Sequence, residues 1–256
     1  MDLVAALRQI VPVLRSQGRL IRLPADRTIV FVGDTHGDLD ATERVFDRYR
    51  TADGVVVFLG DAVDRGPDSD GNLRRILLEK LERPEAVHLL MGNHEAWTAL
   101  PFAPATFWES LDQPIRNEVS NALRELPFAA FHPGGILGLH GALPDLPDAR
   151  AIESVTVGSE AWQAMTWGDW DGEDGGMRFG CRPVFGERTF RERAERLGVR
   201  VLVRSHQPDA PDLLFDDRCL TLFTSNAYGS GPRRVARIEP GQPIASARDL
   251  RVETID

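Results

Sequence analysis

The sequence predicts an α/β domain (α+β by some schemes), and three observations predict it. Three short apolar runs, Ile29–Val32, Val55–Leu59 and Val87–Met91, each close on a glycine, Gly33, Gly60 or Gly92. Runs of this kind read as strands buried on both faces, as in a parallel sheet. The intervals between them carry apolar residues at helical spacing, which makes a β-α-β-α-β run over the first half. Each glycine leads at once into polar groups: Gly33-Asp34-Thr35-His36-Gly37, Gly60-Asp61-Ala62-Val63-Asp64-Arg65-Gly66 and Gly92-Asn93-His94-Glu95. Ligands bind beyond the carboxyl ends of strands in α/β sheets, so Asp34, His36, Asp61, Asp64, Arg65, Asn93 and His94 should pool at one edge.

The elements follow in order. Residues 2–10 form a short amphipathic helix, and Leu20–Leu23 a brief strand. Asp38 stands near the cap of a helix to Arg50, with Leu39, Ala41, Val45, Phe46 and Tyr49 on its apolar side. Pro67-Asp68-Ser69 opens a helix to about Arg83, with Leu73, Ile76, Leu77, Leu78 and Leu81 facing inward. His94–Leu100 reads as helical. The segment 101–113, holding Phe102, Phe107 and Trp108, reads as an aromatic insert that shapes a wall beside the site. Ile115–Leu126 is a helix ended by Pro127. Phe128–Phe131 and Ile136–Leu139 are strands around Pro133-Gly134-Gly135, and the second delivers His140-Gly141. From Ala142 to Gly186 the pattern loosens, with Trp162, Trp167 and Trp170 amid Asp and Gly. Glu187–Leu197 is a helix, and Val199–Val203 a strand leading into Arg204-Ser205-His206-Gln207. Strands at Asp212–Phe215, Leu220–Phe223 and Arg233–Ile238 alternate with turns and look antiparallel. A changeover near residue 140 divides two layers of one fold.

Composition narrows the function. A chain of 256 residues buries a sizeable core and suits one domain over 1–256. It has no apolar stretch long enough for a membrane span, and its first residues lack the order of a signal peptide. Cys181 and Cys219 alone make no disulfide framework, so a reducing cytoplasm is expected. The formal charge of -9 argues against a nucleic-acid binder, which needs a basic footprint. A phosphorylated substrate stays open, because bound metal ions reverse the local field.

Carboxylate, imidazole and amide side chains together form a mixed oxygen and nitrogen donor set. That set favours Mn²⁺, Fe²⁺, Co²⁺ or Zn²⁺ over Mg²⁺ or Ca²⁺. His140 and His206 each end a further apolar run. Asp34, His36, Asp61, Asn93, His140 and His206 are too many donors for one four-coordinate ion but fit two ions sharing Asp61. A hydroxide bridging such a pair attacks while both ions hold the developing charge. His94 points away from that set and is free to serve as general acid, with Asp64 bonded to its other ring nitrogen. Arg65 offers a planar fork for phosphoryl oxygens, and Arg178, then Arg182, is the candidate for a second. Tyr228 is placed in the pocket lining. His88, His132 and Cys181 read as structural, as do the tryptophans at 162, 167 and 170.

Gly33–Gly37, Gly60–Gly66 and Gly92–Glu95 resemble the three signature blocks of the phosphoprotein phosphatase family of calcineurin-like metallophosphoesterases. The resemblance continues in Leu139-His140-Gly141, Trp167-Gly168-Asp169, Arg204–Gln207 and Leu222–Tyr228. It implies a central β-sandwich flanked by helices, with Asp34 and His36 on a first metal and Asp61 as the bridge. Asn93, His140 and His206 would serve the second, His94 would be the acid with Asp64 its partner, and Arg65 a phosphate clamp. Manganese is the first choice of metal, with Fe, Zn, Co or Ni as alternatives. Trp167-Gly168-Asp169-Trp170 and Pro183-Val184-Phe185-Gly186 depart from the eukaryotic pattern, and the chain looks like compact bacterial members. The expected activity is hydrolysis of phosphoserine and phosphothreonine proteins or small phosphoesters. The alternatives are symmetrical cleavage of diadenosine tetraphosphate, with Trp108, Trp170 or Phe102 stacking on adenine, a broad specificity that includes phosphotyrosine, and a non-catalytic scaffold.

Overall fold

The computed structural model describes residues 1–229 and 231–256. The first half runs α1 (Leu3–Gln17), β1 (Leu20–Arg22), β2 (Thr28–Val32), α2 (Leu39–Tyr49), β3 (Gly54–Phe58), α3 (Ser69–Glu82) and β4 (Val87–Leu89). Then come α4 (Thr106–Ser110), α5 (Gln113–Leu123), β5 (Ala129–His132), β6 (Ile136–Leu139), α6 (Glu160–Trp167), β7 (Asp169–Trp170), β8 (Met177–Arg178) and β9 (Arg182–Phe185). The chain closes with α7 (Glu187–Leu197), β10 (Val201–Arg204), β11 (Leu213–Leu214), β12 (Cys219–Thr221), β13 (Arg234–Ile238) and β14 (Arg251–Thr254).

One sheet has the order β14-β13-β2-β3-β4 and the other β1-β5-β6-β10-β12-β11, with a small third sheet β7-β9-β8. Strands β2, β3 and β4 are parallel, in register Val30↔Val56 and Val56↔Val87. Side chains alternate across a strand, and here the alternation separates two apolar layers. Ile29, Phe31, Val55 and Val57 pack between the sheets on Ala130, Ile136, Val201, Val203 and Leu220. Val30, Val32, Val56 and Phe58 face the other way, into a cluster with Val45 and Phe46 of α2 and Leu73, Ile76 and Leu77 of α3. The result is a β-sandwich flanked by helices. Asp38 and Asp68 cap α2 and α3, accepting from the Ala41 and Gly71 amides at 3.1 and 2.8 Å, which is worth about 1 kcal/mol each.

Several expectations need correction. Helix α1 runs past residue 10 and through Pro12, because Leu14 beyond the proline is buried with Leu7 and Ile10. Pro in a helix interior costs about 3 kcal/mol, which three buried side chains at roughly 1.5–3 kcal/mol each outweigh. Residues 93–99 form successive turns instead of a helix. There Glu95 points inward to backbone amides and the Trp97 indole turns to the Phe102 carbonyl at 2.8 Å. The loose segment 142–186 holds helix α6 and strands β7–β9, and β14 follows the last expected strand. Among the closing strands β10 and β12 pair parallel, whereas β11 is antiparallel to β12 and β13 is antiparallel to β14 and β2. The division near residue 140 is partial, since β1 joins the later sheet while β13 and β14 return to the earlier one.

Gly138, inside β6, marks a close approach between the sheets. A Cβ there would lie 2.6 Å from Phe31 Cε1 and 3.3 Å from Leu59 Cδ2, although the backbone is outside the left-handed region. Gly138→Ala should therefore destabilise by overpacking, by about 1–3 kcal/mol in urea unfolding; an unchanged midpoint would show that the Phe31 ring can yield.

Candidate metal centre

The ends of β2, β3 and β4 meet more closely than side chains permit. At Gly60 (φ 108°) an added Cβ would fall 2.5 Å from the Gly92 nitrogen, and one at Gly92 would fall 2.1 Å from Asp61 Oδ1. The first two loops are joined by backbone bonds from His36 to Asp61 O and from Gly37 to Ala62 O, at 2.8 and 2.9 Å. Glu95 locks the second to the third, accepting from the amides of Asp61, Ala62 and Gly92 at 2.8, 2.7 and 2.9 Å. Of the nine non-glycine residues with positive φ among the described residues, five are here: His36 (43°), Asp61 (53°), Asp64 (66°), Arg65 (69°) and His206 (73°). Each costs on the order of 1–3 kcal/mol, a strain that the surrounding hydrogen bonds sustain.

The histidines are oriented from behind. His36 Nδ1 lies 2.9 Å from Val63 O and His140 Nδ1 3.1 Å from Leu59 O, so each leaves Nε2 toward the centre. His36 Nε2 is 3.4 Å from Asp34 Oδ2 and 3.7 Å from Asp61 Oδ2. His140 Nε2 is 3.1 Å from both Asn93 Oδ1 and His206 Nδ1, and 3.3 Å from Asp61 Oδ2. Asp61 Oδ1 accepts the His94 amide at 2.9 Å, which leaves Oδ2 common to both groups. Two clusters result, His36–Asp61–His94 and Asp61–His140–His206, each with its donor atoms within 4.8 Å of one another. Donors on one ion at about 2.1 Å sit roughly 3.0–3.4 Å apart, which is the spacing of His36 to Asp34 and of His140 to Asn93, His206 and Asp61, while His36 to Asp61 is wider at 3.7 Å.

The charges fit the same reading. Asp34 and Asp61 are fully buried, and among the described residues their only ion-pair partners are histidines. Asp34 Oδ2 has no hydrogen-bond partner, while Oδ1 accepts from the Ser205 hydroxyl. A buried carboxylate without a cation is costly, and two divalent ions would supply the missing charge. Burial would lower the His36 pKa, but Asp34 and Asp61 raise it to about 9. Burial would raise that of Asp61, yet His140 and His94 hold it well below the usual carboxylate range. The two clusters thus form a dinuclear site for divalent metals centred on Asp61.

His94 falls within the first cluster, but its Nδ1 is 2.7 Å from Asp64 Oδ2 and its Nε2 stands 3.8 Å from Asp61 Oδ2. Asp64 Oδ1 accepts the Phe107 amide at 2.7 Å. Arg65 donates to Pro104 O at 2.7 Å and to the Tyr228 hydroxyl at 3.3 Å, and the Tyr228 ring stands edge-on to His36 at 5.3 Å. Arg178 and Arg182 both face Asp169 Oδ2, at 3.8 and 3.5 Å. Asp169 Oδ1 lies 3.1 Å from His206 Nε2 but off-angle, so neither atom gains a hydrogen bond. His88 and His132 lie elsewhere, paired with Lys80 and the Gly134 amide.

Sequence reading assigned no role to Glu95, Ser205, Asp169 or Asn72. Asn72 bonds Thr35 Oγ1 and Ala62 O, both at 2.8 Å, and so ties α3 to the first two loops. Glu95 alone carried a local signal, an acid directly after a candidate catalytic histidine at the end of a buried strand.

A β-sandwich whose strand ends gather two His/Asp clusters around one carboxylate defines a metallophosphoesterase-type domain. A family model described as calcineurin-like phosphoesterase matches residues 27–210, and the chain belongs to that family. Within it the chain resembles serine/threonine phosphatases. A protein of Encephalitozoon cuniculi described as a probable serine/threonine-protein phosphatase is 27% identical over 258 residues, covering 93% of this chain and 56% of its own length. The chain thus spans little more than half of that relative. A Saccharomyces cerevisiae protein serine/threonine phosphatase shares the fold, with a TM-score of 0.80 at 21% identity over 98% of this chain and 88% of that one. A candidate diadenosine tetraphosphatase superimposes less closely, with a TM-score of 0.55 at 17% identity over 93% and 98% of the two chains.

Because Asp61 Oδ2 is common to both clusters, Asp61→Asn should cut bound manganese from about two ions to one or none per chain. Metal analysis after dialysis, with circular dichroism to confirm folding, reads this directly; two ions retained would remove Asp61 from the bridge.

Proposed function

We propose that this chain is a metal-dependent phosphomonoester hydrolase of the serine/threonine protein phosphatase type. One observation carries the reading: the His94–Asp64 pair, bonded at 2.7 Å, faces the carboxylate that the two metal clusters share. Asp34, His36 and Asp61 hold the first ion, and Asp61, Asn93, His140 and His206 the second, with Mn²⁺ preferred and Fe, Co, Zn or Ni able to replace it. Bound there, two divalent ions supply a water nucleophile of lowered pKa and neutralise charge on the phosphoryl oxygens.

The protein's own groups do the rest. Asp64 accepts a hydrogen bond from the Nδ1–H of His94, fixes the ring and leaves the Nε2–H to protonate the leaving oxygen. Burial lowers the His94 pKa against the pull of Asp61 and Asp64. Arg65 holds the phosphoryl group, and Arg178 joins it, with Arg182 the alternative. Tyr228, half exposed at the rim, lines the entrance. Trp108 is fully buried against Trp97 and offers no surface to an adenine, which leaves Trp170 and Phe102, both partly exposed, as the stacking candidates of the dinucleotide reading.

The remaining assignments rest on simpler grounds. A single inter-sheet core supports one domain over 1–256. Among the described residues no helix is long and apolar enough to cross a membrane. Two free thiols suit a cytoplasmic setting, and the formal charge of -9 suits a phosphoprotein or small phosphoester better than nucleic acid.

With Mn²⁺ added, the protein should release phosphate from phosphoserine and phosphothreonine peptides faster than from phosphotyrosine peptides. Predominant ADP release from diadenosine tetraphosphate would replace this reading with the dinucleotide one. His94→Asn should lower turnover on a phosphoserine peptide by about 10²–10⁴-fold. Its effect on 4-nitrophenyl phosphate, whose leaving group needs no proton, should be far smaller; equal losses would remove the acid role.

A further inference from the structure

The segment after the third strand end is more than a wall. The Phe102 ring meets the His94 imidazole edge-on, 4.5 Å between centroids with planes 63° apart. The Arg65 guanidinium stands over the same phenyl ring at 5.6 Å, and Trp167 packs edge-on to it at 5.5 Å. Hydrogen bonds fasten the rest of the segment to His94, Arg65 and Asp64. Pro104 O accepts from Arg65, the Phe107 amide donates to Asp64 Oδ1, and the Trp108 indole donates to His94 O, each at 2.7 Å. These contacts go to His94, Asp64 and Arg65, and none goes to a proposed metal ligand. The segment therefore braces proton delivery without touching the ions.

We propose that Phe102 is a positioning residue for the proton donor: its ring walls one side of His94, holds the imidazole on Asp64 and keeps water from the bond between them. The proposal deepens the phosphatase reading and rests on His94 as acid. An alkoxide leaves poorly without a proton, whereas an aryl oxide does not need one. Phe102 thus makes phosphoserine and phosphothreonine esters substrates in a way that matters little for activated aryl phosphates.

The test compares Phe102→Ala with the unaltered chain, both loaded with Mn²⁺. Turnover on a phosphoserine peptide should fall about 10- to 100-fold, and that on 4-nitrophenyl phosphate by less than about threefold, with metal content unchanged. A second readout needs no metal: the His94 Nδ1 proton, assigned by NMR through its loss in His94→Asn, should exchange with solvent faster in Phe102→Ala. Phe102→Leu, which keeps the apolar cover, should restore both. Equal losses on the two substrates, or unchanged proton exchange, overturn the proposal. If Phe102→Ala does not fold, Phe102→Leu against Phe102→Gln makes the same comparison with side-chain bulk retained. Should the unaltered protein hydrolyse neither substrate, the phosphatase reading fails alone, and proton exchange still decides whether Phe102 guards His94.

Discussion

Two buried carboxylates without a lysine or arginine partner set the terms for everything around them. Asp34 and Asp61 lie at the ends of neighbouring parallel strands, where the sheet brings them together and the second sheet seals them from water. Protein groups satisfy one oxygen of each: Ser205 and the His206 amide on Asp34, the His94 amide on Asp61. The other oxygen faces imidazole nitrogens whose far sides are already bonded. Such a shell has donors aimed inward and, among the described residues, no lysine or arginine to balance its carboxylates, and two divalent cations would complete it. The preference for borderline divalent ions follows from the nitrogen content of that shell.

The backbone gives up stability to hold the shell. Left-handed φ at His36, Asp61, Asp64, Arg65 and His206 turns side chains inward from loops that would otherwise continue outward. Glu95 and Arg204 oppose the tendency to relax. Glu95 takes three amides that the sharp turns leave without partners, and burial with the nearby Asp61 charge raises its pKa to about 7. Arg204, fully buried, donates to Gly141 O at 2.7 Å and Gly168 O at 2.9 Å, joining the loop after His140 to the one that carries Asp169. The site is thus fastened at both ends, on one side by an acid that neutralises amides and on the other by a base that neutralises carbonyls.

What the sequence disclosed depends on how local each feature is. Strands β2, β3 and β4, the helices capped by Asp38 and Asp68, and the ligand candidates at their ends are written in short contiguous stretches. The same holds for His140 and His206, each at the close of an apolar run. Helix α6 and strands β7–β9 were illegible because Gly and Asp dominate there and their order depends on distant partners. Gln207 Oε1, for example, holds the Trp170 amide at 2.8 Å. The composition of residues 93–99 suits a helix, and the inward bonds of Glu95 to three amides override it. Nothing in the spacing of Phe102, Phe107 and Trp108 indicates that they converge on the His94–Asp64 pair.

The same distinction explains why two arginines compete for one role. Arg178 and Arg182 flank a three-residue turn, so either can reach Asp169, and both do. Their surroundings differ. Both guanidiniums lie over the exposed Phe179 ring, at 5.4 Å for Arg178 and 5.7 Å for Arg182, but Arg182 also lies over the buried Trp167 ring at 5.4 Å, whereas Arg178 has the exposed Asp171 carboxylate at 3.9 Å. A guanidinium held on a buried indole stays with its carboxylate, and one held on a solvent-exposed phenyl ring can leave at little cost. Asp169 needs only one positive partner. On the proposed reading, Arg182 keeps that carboxylate neutralised beside His206, and the second charge of the pair is released to meet an incoming phosphoryl group.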